Sequence, residues 1–487
     1  MRDIVLRKKS LEAIRREQEH SDHGLKKVLG PWSLIAIGIG CTIGSGIFIM
    51  PGIVAATHSG PAVVVSFLLA ALACALAALS YSELAAMIPI SGSAYSYAYA
   101  TLGELVAWFI GWNLLLEYGL ANAATAAGWG GYLNHFLGSF GLSIPAQWLY
   151  APGYPIPGTD LVGWFNVPSA LIVLFVTLLM VLGIRESART NTIIVGFKIL
   201  VLFMFVALAA PHFQPQLMTP FMPFGWKGVM SGAAVLFFLF VGFDAVSTVA
   251  EEARNPQRDV PIGILGGLAI VTVLYVAVGT VLTGVLPLSK LKIEEPLAIV
   301  LSTFHHPWAS LILSAVAVVG IASVLLVGSI GQTRILYVMS RDGLMPRFMS
   351  KVHAKFGTPV ETTLILGVIT ALLAGSVPLD ALADLVSIGT LAAFTAVAVG
   401  VMVLRKTAPD TPRGFKTPWV PVVPVAGIAI NLYLMCSLSM HVWIRFVVWL
   451  IIGIAIYFLW GHRSASRVMA ERAATVPAEL HPSPEAR

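Results

Sequence analysis

The chain has 487 residues, of which 57% are apolar or aromatic and only 11% are charged, with a formal net charge of +6. A soluble domain carries about 25% charged residues, so this chain lacks the polar cover of a water-exposed globule of its size. Its apolar residues fall in long uncharged blocks such as 61–79, 166–184 and 261–286. Such blocks have the length that a helix needs to cross about 30 Å of hydrocarbon, and backbone in lipid must satisfy its hydrogen bonds internally. The composition therefore predicts an all-α membrane protein.

Taken from the N-terminus, residues 1–30 are charged and amphipathic, with no apolar segment and small-residue cleavage site of the kind a removable signal peptide carries. Twelve spans follow, at 31–56, 61–87, 102–136, 166–184, 190–210, 228–252, 261–286, 307–337, 360–377, 381–404, 420–438 and 443–461, and residues 462–487 form a polar tail. With both ends placed in the cytoplasm, 25 Lys and Arg fall on the inner side and four on the outer side, Lys198 lying inside a span. That asymmetry predicts N-in, C-in topology and makes the basic excess a topology signal, so no nucleic acid is expected as a partner. Cys41, Cys74 and Cys436 all lie in apolar blocks and read as small hydrophobes, not as a disulfide set.

Two spans are flawed in matching ways. Span 1 crowds its glycines in GIGCTIGSGIF (38–48), and five spans later span 6 is interrupted at FVGFDAVST (240–248). Matching interruptions in the first and sixth spans predict a five-plus-five repeat. An odd repeat length inverts one half, and the substrate site lies at the broken helices. On this reading, 31–210 is the first repeat, 228–404 the second, and 420–461 a pair of additional helices. The additional pair offers a face for a small membrane subunit or a second copy.

The segments GIGCTIGSGIFIMPG (38–52), SELAAMIPISGSAYSYAY (82–99), FFLFVGFDAVSTVAEEARNPQRDVPIGI (237–264) and GQTRILYVMSRDGLMP (331–346) resemble the amino acid–polyamine–organocation superfamily. Within it they are most similar to the cationic amino acid transporters in their shorter, twelve-helix bacterial form. The resemblance covers roughly residues 25–460. It implies the inverted-repeat fold, an amino acid substrate, proton coupling and a bacterial inner membrane, with no cofactor.

The glycines of Gly44-Ser45-Gly46 weaken a helix and let a ligand approach the backbone. Freed amides and the positive end of a half-helix suit a carboxylate, and the resemblance places the substrate carboxylate at Ile43, Gly44, Ser45 and Gly46. The competing reading is helix packing, since Gly40 and Gly44 form a GxxxG pair. Around the span 6 break the resemblance puts Phe238, Val241 and Asp244 near the ligand. An acid within an apolar segment is a functional candidate by default, with a helix cap as its structural alternative. Glu117 lies deep in span 3, as a proton carrier, a counter-charge to a cationic substrate, or a bond to a neighbouring helix. Lys198 in span 5 either snorkels to the interface or exchanges a proton inside the bundle. The resemblance implies the latter, with Gly40, Cys41 and Ser323 as its neighbours. Gly328 in span 8 leaves room for a long substrate side chain, which leans the substrate toward arginine, lysine or ornithine, with small neutral amino acids as the alternative.

His305 and His306 have no second cluster to complete a metal site. Glu83, Glu251, Glu252, Arg254 and Arg341 form either an inner gate of salt bridges or solvated charges. The expected function is proton-coupled symport, against exchange or polyamine carriage. No constellation of nucleophile and base supports a membrane-embedded enzyme, and a nutrient receptor is the other class considered.

Overall fold

The computed structural model describes residues 28–88, 93–156, 159–182, 188–293, 295–353 and 358–475. The expectations for the segment before residue 28, for Arg185 and for the tail beyond residue 475 lie outside the described residues, as does the side chain of Glu251.

The described residues are helical, with two isolated β-bridges and no strand. In chain order the helices are α1 (Pro31–Thr42), α2 (Ser45–Val54), α3 (Val63–Met87), α4 (Ser93–Thr101), α5 (Glu104–Ala127), α6 (Trp129–Gly138), α7 (Val167–Val181), α8 (Ala188–Ala209) and α9 (Gly225–Leu236). There follow α10 (Ala245–Thr248), α11 (Pro256–Val285), α12 (Pro296–Thr303), α13 (Pro307–Arg341), α14 (Val360–Ser376), α15 (Leu379–Thr407), α16 (Val422–Ser437), α17 (Met440–Ile456) and α18 (His462–Thr475). Among the described residues, seven helical runs are long and apolar enough to cross a membrane, and four shorter apolar helices accompany them. Proline opens α1, α11, α12 and α13, where its missing N–H costs nothing because the first-turn amides have no intrahelical partner.

Large apolar side chains cover the outside. Leu171, Leu174, Phe175 and Leu178 on α7, Phe197, Leu200 and Phe203 on α8, and Ile444, Val448 and Ile451 on α17 are all exposed. A surface this apolar would not stay dispersed in water; in a bilayer it is the lipid face. The protein is a multi-pass membrane protein.

Span 3 departs from its expected form. The sequence reads as one helix over 102–136, but the chain divides at Gly128 into α5 and α6. A Cβ at Gly128 would lie 3.0 Å from that of Ser45 and collide with Ile49. The glycine lets α2 press directly against the junction of α5 and α6.

The candidate gate is built differently from its expected form. Glu83 is fully buried and accepts from Arg405 at 2.8 Å, from Arg413 at 3.1 Å and from the Thr417 amide at 2.8 Å. It is no solvated charge; it fastens the segment after α15 to α3. Glu252 pairs with Arg334 at 3.5 Å in a half-exposed setting, and the Arg254 amide donates to the Leu29 carbonyl.

Glu295 lies just ahead of α12, between α11 and α13 and outside the spanning helices. Burial pushes its carboxyl up to about 7. The folded state therefore favours the protonated form over the unfolded chain, whose glutamates titrate near 4.3. This contribution is full below pH of about 4.3 and is lost as pH rises through about 7, with a slope of at most about 1.4 kcal/mol per pH unit. Thermal unfolding in detergent should show a midpoint that falls between pH about 4.3 and about 7, and Glu295→Gln should flatten that fall. An unaltered slope in the variant would count against the assignment.

Candidate functional site

The site grows out of two interrupted helices. α1 ends at Thr42, and Ile43 (φ −78°, ψ 81°) and Gly44 (φ −109°, ψ −155°) turn the chain out of helical geometry before α2 begins. The break thus lies at Ile43-Gly44, one to two residues before the expected Gly44-Ser45-Gly46. Glycine is tolerated as an N-cap, so the chain uses Gly44 there and returns Ser45 and Gly46 to the first turn of α2. In the other interrupted helix, α9 tightens into a 3₁₀ turn over Phe237–Phe240. Val241 is then extended, Gly242 adopts φ +118°, and α10 resumes at Ala245.

The two breaks face each other. A Cβ on Gly242 would lie 2.9 Å from the Cys41 carbonyl carbon. The Tyr275 hydroxyl of α11 reaches the Thr42 carbonyl at 2.8 Å and the Leu239 carbonyl at 3.0 Å. One phenolic proton is thus shared between carbonyls freed by both breaks. Among the described residues, no backbone amide outside a helix donates to the carbonyls of Phe240 and Val241, which leaves acceptors for an ammonium group. The first-turn amides of α2 are orphan donors, and Gly44 and Gly46 beside them line a cavity.

That cavity encloses about 600 Å³ of empty space, its opening included. Gly44, Gly46, Glu117, Phe238, Val241, Asp244 and Gly328 are all in its wall, together with Cys41. Ile43 and Ser45 do not line it: Ile43 turns its carbonyl to Lys198, and the buried Ser45 sits against Gly128. Sequence reasoning missed Tyr118, Asn122 and Thr125 on α5 and Val324 on α13, which also line the wall. Their signal was the helical spacing of Tyr118, Asn122 and Thr125, which puts them on one face.

Asp244 is buried, and its carboxylate accepts from the Tyr118 hydroxyl at 3.2 Å and from the Gly242 amide at 3.2 Å. It does not cap α10 with its side chain. Its carboxylate turns back to hold the Gly242 turn, which replaces the capping alternative. Glu117 is also fully buried, and among the described residues neither of its carboxylate oxygens has a hydrogen-bond partner within bonding distance; the nearby Thr390 hydroxyl donates to the Val386 carbonyl.

Lys198 does not snorkel. It is fully buried, and its ammonium donates to the carbonyls of Gly40 at 3.1 Å and Ile43 at 3.0 Å. Its stem packs on Gly320 of α13, where an added Cβ would lie 2.7 Å from the Lys198 Cε. Ser323, one turn further along α13, is buried. The ammonium therefore occupies the carbonyl-rich C-terminal end of α1, where the helix dipole favours a cation.

A multi-pass helical membrane protein with a central cavity at two facing helix breaks belongs to the class of membrane transporters. Residues 29–462 match the family model of amino acid permeases. The branched-chain amino acid permease of Bacillus subtilis is 47% identical, with 95% of this chain and 99% of that protein covered. The methylthioribose transporter of the same bacterium is 44% identical over 94% of this chain and 98% of its own length. The vacuolar cationic amino acid transporter 4 of Arabidopsis thaliana is 38% identical, covering 83% of this chain and 68% of that protein. The chain belongs to the amino acid permease family of the amino acid–polyamine–organocation superfamily. It is a transporter and not an enzyme.

Proposed function

We propose that this protein is a proton-coupled amino acid symporter of a bacterial cytoplasmic membrane, with cationic amino acids as its preferred substrates. It has twelve spans, its first ten spans form two inverted repeats of five, and both termini face the cytoplasm. Transport proceeds by alternating access, with α1–α2 and α9–α10 holding the substrate's α-carboxylate and α-ammonium while one helix bundle rocks against the other.

The observation that carries this reading is the Lys198 ammonium on the Gly40 and Ile43 carbonyls. It places a titratable cation at the break whose next residues line the cavity. The repeat is supported by the paired breaks, and by two short helices in corresponding places, α4 between α3 and α5 and α12 between α11 and α13. The cationic preference rests on Glu117, whose carboxylate lies in the cavity wall with no hydrogen-bond partner among the described residues; the gap left by Gly328 is filled by the Asn122 amide and adds no room for a long side chain. A branched-chain or other neutral substrate is the second reading, favoured by Phe238, Leu239 and Val324 in the same wall and by the relative named as a branched-chain amino acid permease.

The test is uptake of a panel of labelled amino acids into proteoliposomes of the purified protein, with and without an inward proton gradient. Lysine, arginine or ornithine should accumulate at least tenfold more with the gradient. Uptake that requires internal amino acid and ignores the gradient would make the protein an exchanger.

A further inference from the structure

We propose that Asn122 reads the substrate's side chain, so that the protein prefers amino acids carrying a hydrogen-bonding group there over aliphatic ones of the same shape. The inference rests on the cavity being the amino acid site.

The broken helices supply backbone donors and acceptors, which suit the carboxylate and ammonium common to all amino acids. The substrate's side chain is left to α5 and α13, which form the other walls of the cavity. On those walls the polar groups are Glu117, Tyr118, Asn122 and Thr125. The Tyr118 hydroxyl is engaged by Asp244.

Asn122 is 3% exposed, and its Nδ2 has no hydrogen-bond partner among the described residues. A buried amide of this kind is normally satisfied, so one that opens on a ligand cavity is a group awaiting a partner. Gly328 makes the place in which the amide sits. A Cβ at that position would collide with the Asn122 Oδ1, so the missing side chain lets the amide lie beside Gly328 in the cavity wall. The Gly44 end of the cavity is level with Thr125, since a Cβ on Gly44 would lie 3.8 Å from the Thr125 Cγ2. Asn122 lies about 4.5 Å along α5 from Thr125, and Glu117 about 7.5 Å further, at 1.5 Å per residue. The amide is therefore placed for the near part of a side chain and the carboxylate for a far terminus. An amide offers both donor and acceptor, so hydroxyl, amide and ammonium groups all satisfy it, whereas a methyl group leaves it unpaired in a dry site.

The probes are labelled threonine and valine, which share a shape and differ by a hydroxyl, and lysine and norleucine, which differ by a terminal ammonium. Each is measured as initial uptake by the full-length protein in proteoliposomes. In the native protein the threonine-to-valine ratio of kcat/KM is expected to be about tenfold to a hundredfold. In Asn122→Leu that ratio should fall to about one or below, while the lysine-to-norleucine ratio stays above one through Glu117. Gly328→Ala, which crowds the same amide from α13, should lower the threonine preference by itself and serves if Asn122→Leu does not reach the membrane. Valine equal to threonine in the native protein overturns the proposal, as does an unmoved ratio in both variants. If no amino acid is taken up at all, the functional reading fails and the inference with it. If uptake is robust and only the ratio stays unmoved, the inference alone fails.

Discussion

Lys198→Ala is expected to abolish amino acid uptake driven by a proton gradient, lowering the initial rate at least a hundredfold. The reason is geometric. The ammonium is fully buried and bonded to carbonyls on either side of the end of α1. Those carbonyls lost their helical partners when the chain broke at Ile43-Gly44. Buried carbonyls without donors are costly, so the protonated lysine stabilises this form of the break. Under the proposed coupling, loss of the proton would weaken the attraction between the cation and the end of α1 and free α1 to move with the cavity. Alanine removes the cation and the stem that packs on Gly320. The coupling then has no carrier, although the broken helices remain. Exchange of labelled for unlabelled substrate across the membrane should therefore survive better than gradient-driven uptake. Native-level gradient-driven uptake by the variant would remove Lys198 from the coupling role.

Much of this arrangement is legible in the sequence because hydropathy and helix chemistry act locally. The apolar blocks became helices, and the crowded glycines of span 1 marked a break within two residues of its place. The shift to Ile43-Gly44 follows from capping, a local choice between adjacent glycines that hydropathy does not resolve. The division of span 3 at Gly128 was missed because that glycine acts through its contact with Ser45 and Ile49, more than 75 positions earlier in the chain. Asn122 and Thr125 sit in the alanine-rich run LANAAT, where an uncharged polar residue looks like a packing contact between helices. Their spacing with Tyr118 was visible; that α13 would present Gly328 to Asn122 was not. The partners of Glu83 lie 322 and 330 residues away, and only the tertiary structure brings them together. Lys198, by contrast, stood out from the sequence because a lysine in an apolar span has few places to go.

Gly242→Ala should reduce uptake at least a hundredfold while leaving the protein folded. The substitution adds one methyl group at the point where the two broken helices touch. Gly242 holds φ +118°, a conformation open to glycine and strained for any L side chain, at a cost of about 1–3 kcal/mol. The new Cβ would lie 2.9 Å from the Cys41 carbonyl carbon and 3.0 Å from its oxygen, and backbone cannot swing aside as the end of a side chain can. The breaks must separate, and with them the cavity walls at Cys41, Val241 and Asp244. The Gly242 amide that holds the Asp244 carboxylate shifts as well, which loosens the Tyr118 contact behind it. The stability loss is therefore a few kcal/mol at most, whereas substrate contacts on both α1–α2 and α9–α10 are displaced together. Gly389→Ala is the matched control: it lies inside α15 with nothing within 4 Å of its added Cβ, and alanine is the better helix former. Its uptake should stay within about twofold of native. Thermal unfolding of both variants separates a folding defect from a transport defect. Native-rate uptake by Gly242→Ala would mean that the facing breaks tolerate separation, and that the substrate is held by one interrupted helix alone.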